Sequence, residues 1–217
     1  MRLMVLNPNT NAATTAGMVA LAQETAGAAA RVSGATAGFG APMITDPDAL
    51  AVAARAVAAA ELPHCDAVIV AAFGDPGIEA LRDRLAVPVV GLAEAGMAEA
   101  AAGGRRFAVA TTTPRLVEAI TDRAAALGHQ GFAGVWLTPG DPVALAAHPV
   151  RLRDALADAC ARAVAEGGAE AVIVGGGPLA EAARTLAASS PAPIVEPLPA
   201  AVRLALTRAR DARGTAT

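Results

Sequence analysis

Short runs of Val, Ile and Leu alternate along the chain with longer stretches in which apolar residues, mostly Ala, recur at helical spacing. That alternation predicts parallel strands covered by helices. Strands buried on both faces read as continuous apolar runs, and each needs a crossover helix to reach the next. The strands are expected at Arg2–Leu6, Ala30–Thr36, Ala67–Ala71, Val87–Val90, Arg106–Ala110, Gly131–Leu137, Ala171–Val174 and Ile194–Val195. Helices are expected at Thr10–Ala28, Pro47–Glu61, Gly77–Leu85, Glu94–Ala102, Pro114–Leu127, Pro149–Glu166, Pro178–Ala188 and Pro199–Arg210. Several open on Pro, which suits a first helical turn.

The pattern repeats itself. A shift of 104 positions sets Arg2-Leu3-Met4-Val5-Leu6-Asn7 against Arg106-Phe107-Ala108-Val109-Ala110-Thr111, and Asp66-Ala67-Val68-Ile69-Val70-Ala71 against Glu170-Ala171-Val172-Ile173-Val174-Gly175. Any two buried strands look alike, but two matches at one offset favour duplication. The expected fold is therefore α/β, with two pseudo-symmetric lobes of mainly parallel sheet flanked by helices and a crevice between them. The first lobe takes residues 1–100 and 198–217, the second 101–197. Open α/β sheets bind ligands beyond the carboxyl ends of their strands. Four loops should meet there: Asn7–Thr10, Ala72–Gly77, Thr111–Pro114 and Gly175–Pro178.

Composition narrows the chemistry. The 217 residues are 54% hydrophobic and carry a net charge of −3, so they bury a real core in one domain or two half-sized lobes. All 17 basic residues are Arg and they are scattered, which argues against nucleic-acid or membrane partners. With no Lys there is no Schiff base and no phosphate-loop lysine; with no Tyr there is no phenolic acid or base. Met1–Pro8 shows no export signal, no apolar run approaches a membrane span, and a cytoplasmic protein is expected. Cys65 and Cys160 lack CxxC spacing and His64, His129 and His148 form no i, i+4 pair, so no metal site is expected.

Within the loops, ligand binding competes with ordinary turn chemistry. Asn7, Asn9 and Thr10 can hold a carbonyl or carboxylate, or can form a turn and an N-cap. Thr111, Thr112 and Thr113 carry the same ambiguity, with one hydroxyl expected to cap the helix begun by Pro114. Ala72, Phe73 and Gly74 are small enough, or placed well enough, for backbone N–H groups to approach an anion, as are Gly176 and Gly177. Asp75, just before Pro76, reads as an N-cap more than as a catalyst. Glu94 and Glu196 follow strand-like runs; Glu94 is read as structural, whereas Glu196 is a candidate base. Cys160 shares a helical face with Leu152, Leu156 and Ala163, the spacing of core packing. His64 and Cys65 lie before a strand, His129 at a helix end, and His148 in a loop.

Together Asn7-Pro8-Asn9-Thr10, Phe73-Gly74-Asp75-Pro76-Gly77, Pro88-Val89-Val90-Gly91-Leu92 with Glu94-Ala95, the Arg106–Thr111 strand and Glu166–Gly175 resemble the aspartate/glutamate/hydantoin racemase superfamily, particularly its hydantoin and allantoin branch. The resemblance spans nearly the whole chain. It implies two pseudo-symmetric lobes, no cofactor, a small carbonyl or carboxylate ligand and a homo-oligomer. It also implies two cysteines, one on each side of the substrate's α-carbon, at the positions that hold Ala72 and Gly176 here; these are themselves 104 apart. Cys65 and Cys160 lie too far away in sequence to replace them. The expected function is a cofactor-independent enzyme of this superfamily acting on a hydantoin, amino-acid derivative or related carboxylate or imide. Hydrolase, lyase or isomerase chemistry would replace two-thiol racemisation, with Glu196, Thr111 and Thr112 as candidate catalytic groups. A racemase with non-thiol acid/base groups, or a non-catalytic binding protein, are the alternatives.

Overall fold

The computed structural model describes residues 1–176, 179–188 and 190–214. The chain forms two compact units, Met1–Ala95 with Leu198–Thr217, and Gly96–Pro197. In the first, strands β1 (Arg2–Asn7), β2 (Arg31–Thr36), β3 (Ala67–Val70) and β4 (Val89–Gly91) make one parallel sheet in the order β2-β1-β3-β4. Helices α1 (Ala12–Ala26), α2 (Pro47–Ala58) and α3 (Ile78–Arg84) connect them, and α4 (Leu92–Ala100) follows β4. The second unit holds β5 (Phe107–Thr111), β6 (Phe132–Leu137), β7 (Ala171–Val174) and β8 (Ile194–Val195) in the order β6-β5-β7-β8, again all parallel. Its connections carry α5 (Val117–Ala126), α6 (Pro142–Ala146), α7 (Pro149–Ala165) and α8 (Ala180–Ala187); α9 (Pro197–Gly214) follows β8.

The two sheets share topology, and the 104-residue offset extends to their hydrogen bonds. Arg2 N–H donates to the Asp66 carboxylate at 2.6 Å, and Arg106 N–H to the Glu170 carboxylate at 2.9 Å. Ala71 N–H reaches Leu6 O as Gly175 N–H reaches Ala110 O. Asp75 N–H bonds Ala72 O as Leu179 N–H bonds Gly176 O. Both ends of the central strand pair are thus built alike.

The central strands of each sheet, β1 and β3 in the first and β5 and β7 in the second, are buried on both faces, which is why they lack polar alternation. Met4, Leu6, Val68 and Val70 meet Val57 of α2 and Leu81 of α3, while Leu3, Val5 and Ile69 between them are equally enclosed. In the second unit Ala108, Ala110, Val172 and Val174 meet Leu152, Leu156, Cys160 and Ala163 along one face of α7. The Ala-rich composition lets these helices lie close to the strands.

Several boundaries differ from expectation for local reasons. α1 starts at Ala12, because Asn11 rather than Thr10 is its N-cap, its side chain accepting from Thr14 N. Pro114–Leu116 form a 3₁₀ turn ahead of α5. α4 begins at Leu92, so Glu94 falls in its first turn instead of opening it, and α9 begins two residues early and runs to Gly214. α6 is not among the expected helices, although Asp141-Pro142 is a cap followed by proline at the first helical position; Asp141 accepts from Ala144 N at 2.9 Å. The expected start of the eighth helix at Pro178 lies outside the described residues.

Candidate active site

In the first unit β1 and β3 are neighbours, so the loops at their carboxyl ends lie side by side. Asn7, the last residue of β1, is fully buried. Its Nδ2 donates to Asn9 Oδ1 at 2.8 Å, Thr15 Oγ1 at 2.9 Å and Asn11 O at 3.1 Å, while its Oδ1 accepts Asn9 N–H at 3.1 Å. Both amide hydrogens are thus spent inside the loop, and Asn7, expected to hold a ligand, organises the loop in the structure. Asn9 differs. Its Oδ1 is taken by Asn7 and by Asn11 N–H, but no acceptor among the described residues takes its Nδ2. Thr10 N–H anchors the next loop through Ala41 O at 3.1 Å, and Thr10 itself is half-buried.

Beside this loop, Ala72, Phe73 and Gly74 follow β3. No acceptor among the described residues takes any of their three N–H groups. Consecutive unspent amides just past a strand end are donors available to an anion or a developing oxyanion. Phe73 is buried and Ala72 and Gly74 are half-buried.

Asp75 closes the loop, and its role differs from expectation. The first position before α3 is Gly77, which has no side-chain cap. The Asp75 carboxylate instead reaches α4, accepting Ala93 N–H at 2.7 Å and Glu94 N–H at 2.9 Å. To do so Asp75 adopts φ +53°, in the left-handed region that Asp tolerates better than most residues. Gly91, directly before α4, leaves the room: a Cβ there would collide with the Asp75 carboxylate. The N-cap of α4 is therefore split, with backbone from Gly91 and acceptor from another loop. Glu94 completes it, accepting Gly91 N–H at 3.2 Å as in a capping box.

Glu94 also binds Arg82 at 2.8 Å and Arg208 at 2.7 Å. Burial pushes its carboxyl up, but the Arg208 hydrogen bond, the Gly91 amide and both guanidinium charges outweigh that and hold it below the usual range. A carboxylate tied this way is structural, as expected of Glu94. The sequence displays Gly91 and Glu94 as a local pair, but not the partners Arg82 and Arg208. These come from positions 12 residues before and 114 after Glu94, with no local signal.

The second unit repeats the plan with different side chains. Thr111, at the end of β5, donates to Gly175 O at 3.1 Å and lies 3.1 Å from Thr113 Oγ1. Its hydroxyl serves the loop, in the place of Asn7. The helix cap expected from one of the threonines is absent, because Thr113, the residue before the 3₁₀ turn, spends its hydroxyl on Thr111. Thr112 is buried, and its hydroxyl has no partner among the described residues. Gly176 has φ +138°, and a Cβ there would press on Leu179 at 3.2 Å, so a glycine fits this turn as a larger residue would not. Gly177 lies outside the described residues. Glu196 sits between β8 and α9, partly buried, with Arg184 Nε 3.9 Å from its carboxylate.

The cysteines lie elsewhere. Cys65 precedes β3, at the opposite end of the strand from Ala72, and packs in the apolar cluster of the first unit. Burial and the neighbouring Asp66 push its thiol up, against a smaller opposing effect of Arg2. Cys160 lies inside the cluster of the second unit, and burial pushes its thiol up to about 11. His129 packs edge-on against Phe107 with ring centroids 5.3 Å apart, and burial holds its pKa down. Among the described residues no group of three or more His, Cys, Asp or Glu is placed to hold a metal, and no helix is long and apolar enough to cross a membrane.

Residues 3–205 match the family model described as Asp/Glu/Hydantoin racemase. A hydantoin racemase from Pseudomonas sp. (strain NS671) is 29% identical over 95% of this chain and 85% of its own length. Among solved structures, an allantoin racemase from Pseudomonas fluorescens superposes with a TM-score of 0.90 at 32% identity, covering 97% of this chain and 91% of that one. An allantoin racemase from Klebsiella pneumoniae gives 0.88 at 30% identity, over 95% and 86%. The repeated parallel sheets, the amide-rich loop after β3 and these likenesses agree: the chain belongs to the Asp/Glu/hydantoin racemase family.

Proposed function

We propose that this chain is a cofactor-independent enzyme acting on a small hydantoin, amino-acid derivative or related carboxylate or imide, by chemistry other than two-thiol racemisation. One contrast carries the reading: the Ala72-Phe73-Gly74 amides are unspent, whereas both thiols are buried in apolar clusters with raised pKa values. Donors for a developing oxyanion are kept where thiol acid/base groups are not. The substrate class follows the names of the hydantoin and allantoin racemases to which the chain is similar.

In this reading the N–H groups of Ala72, Phe73 and Gly74 stabilise negative charge on a substrate carbonyl or carboxylate. Asn9 Nδ2 and Thr10 orient it. Asn7 and Thr111 hold the two loops in shape. Glu196 is the candidate base that takes a proton from the substrate or from water, and Thr112, whose hydroxyl is unspent among the described residues, is a further candidate group. Each backbone donor aimed at a developing oxyanion is worth about 3–4 kcal/mol in a desolvated site. That is enough to preserve a cradle while the proton-transfer groups change. The enzyme works in the cytoplasm as a homo-oligomer.

The test is turnover of allantoin, 5-substituted hydantoins, free amino acids and substituted malonates, with products identified by NMR. Conversion of one class to a new product supports the reading. Binding without conversion of any compound would make the chain a binding protein, and neither binding nor conversion would remove the substrate class.

A further inference from the structure

We infer that Asp75 is a positioning residue: it fixes the three unspent amides by tethering their loop to the N-terminus of α4. The inference rests on the proposed role of those amides. Asp75 directly follows Gly74, so wherever its backbone goes the donors go too. Three features make its carboxylate a strut instead of a routine cap. It caps a helix 17 residues further along the chain, through Ala93 N–H and Glu94 N–H. It accepts a positive φ of +53° to get there. The helix could be capped in line by a side chain on residue 91, yet that residue is a glycine whose missing Cβ is the space the carboxylate fills.

The corresponding position in the second unit carries no carboxylate. Leu179 stands 104 residues after Asp75 and keeps the same backbone bond, to Gly176 O, but has no polar group to send to a neighbouring helix. That backbone bond therefore needs no carboxylate. What Asp75 adds is the rigid link to α4, which Glu94 in turn ties to Arg82 on α3 and Arg208 on α9.

Moving the cap in line separates the two roles. Asp75→Gly keeps the positive φ available and removes the tether; adding Gly91→Asp gives α4 an ordinary N-cap in the space vacated. Three readouts are compared: Tm, ¹⁵N relaxation of Phe73 and Gly74, and affinity for whichever of allantoin and 5-benzylhydantoin the parent binds. Asp75→Gly should lower Tm by about 3 °C. The double variant should recover Tm while Phe73 and Gly74 stay loosened and affinity stays about tenfold weaker. Recovery of order and affinity along with Tm would overturn the inference, since Asp75 would then be a cap and nothing more. If the double variant does not recover Tm, Gly91→Ala decides, because its methyl must displace the carboxylate with Asp75 still present. Loosened amides and weakened affinity there support the tether, and unchanged values contradict it. A parent that binds neither compound would remove hydantoins from the proposed substrate class, while the relaxation of Phe73 and Gly74 would still decide the role of Asp75.

Discussion

Asn7 Nδ2 donates to Asn9 Oδ1 at 2.8 Å, and the same two-residue step recurs in the second unit as the 3.1 Å pair between Thr111 Oγ1 and Thr113 Oγ1. In each unit the first residue of the pair ends the first strand and organises the loop. Only the second residue of the pair in the first unit keeps an unspent donor, at Asn9 Nδ2.

The two asparagines should therefore respond differently to alanine. Asn7→Ala leaves the buried Asn9 N–H without its acceptor and takes one donor each from Asn9 Oδ1 and Thr15 Oγ1, and should cost about 1–3 kcal/mol of stability, read by urea denaturation. Asn9→Ala keeps more of the fold and should act mainly on ligand affinity. Equal stability losses, with equal effects on binding, would contradict the division of roles.

Glu94 gives a pH signature. Its folded pKa is depressed, so its contribution to stability is present above the ordinary glutamate range and is lost as pH falls through the folded value. Glu94→Gln should cost about 1–3 kcal/mol at pH 7, near the lower figure because Arg82 and Arg208 are each about a third exposed. The gap from the parent should narrow as pH falls below about 4. A gap that stays constant from pH 7 to pH 3 would contradict the charge network.

Cys160 has the opposite sign. Its folded pKa is raised to about 11 from 9.0, so the stability it contributes is complete below pH 9 and is lost as pH rises through about 11. Two decades of shift correspond to at most about 3 kcal/mol. The parent should lose more stability than Cys160→Ala between pH 9 and 11, and Cys160 should resist thiol reagents at neutral pH. Rapid labelling of folded protein at pH 7 would contradict its enclosure.

Ala72 offers a gain-of-property test. It already carries a Cβ and stands beside the unspent amides, which favour a thiolate. Ala72→Cys should fold and react with iodoacetamide at lower pH than Cys65 or Cys160, and should give at most one-sided α-proton exchange on a bound hydantoin. If the introduced thiol titrates above the ordinary cysteine value of about 8.5, the donor character of this loop is contradicted. Gly176→Cys is a poorer probe, because φ +138° and the nearby Leu179 oppose a side chain there.

Much of this fold is legible in the sequence because buried parallel strands announce themselves. Ala171–Val174 and Ile194–Val195 form as expected, and the 104-residue repeat anticipates a shared sheet order. The site is legible as a set of loops but not as a division of labour. Asn7 and Asn9 look alike in sequence, and only burial and partner geometry separate the organiser from the donor. Asp75 reads as the cap of its own helix because local spacing is all that a sequence displays; its true partner, α4, depends on how β3 and β4 align. The missing Cβ of Gly91 carries no message until the carboxylate that fills its place is visible.

Enzymatic turnover without thiol chemistry can be read by incubating the parent, Cys65→Ser and Cys160→Ala proteins with the substrate panel in deuterated water and following α-protons and products by ¹H NMR. All three proteins should convert the same compound to the same new product at similar rates. Racemisation with solvent deuterium entering the α-position, lost when either cysteine is replaced in a folded variant, would contradict turnover without thiols.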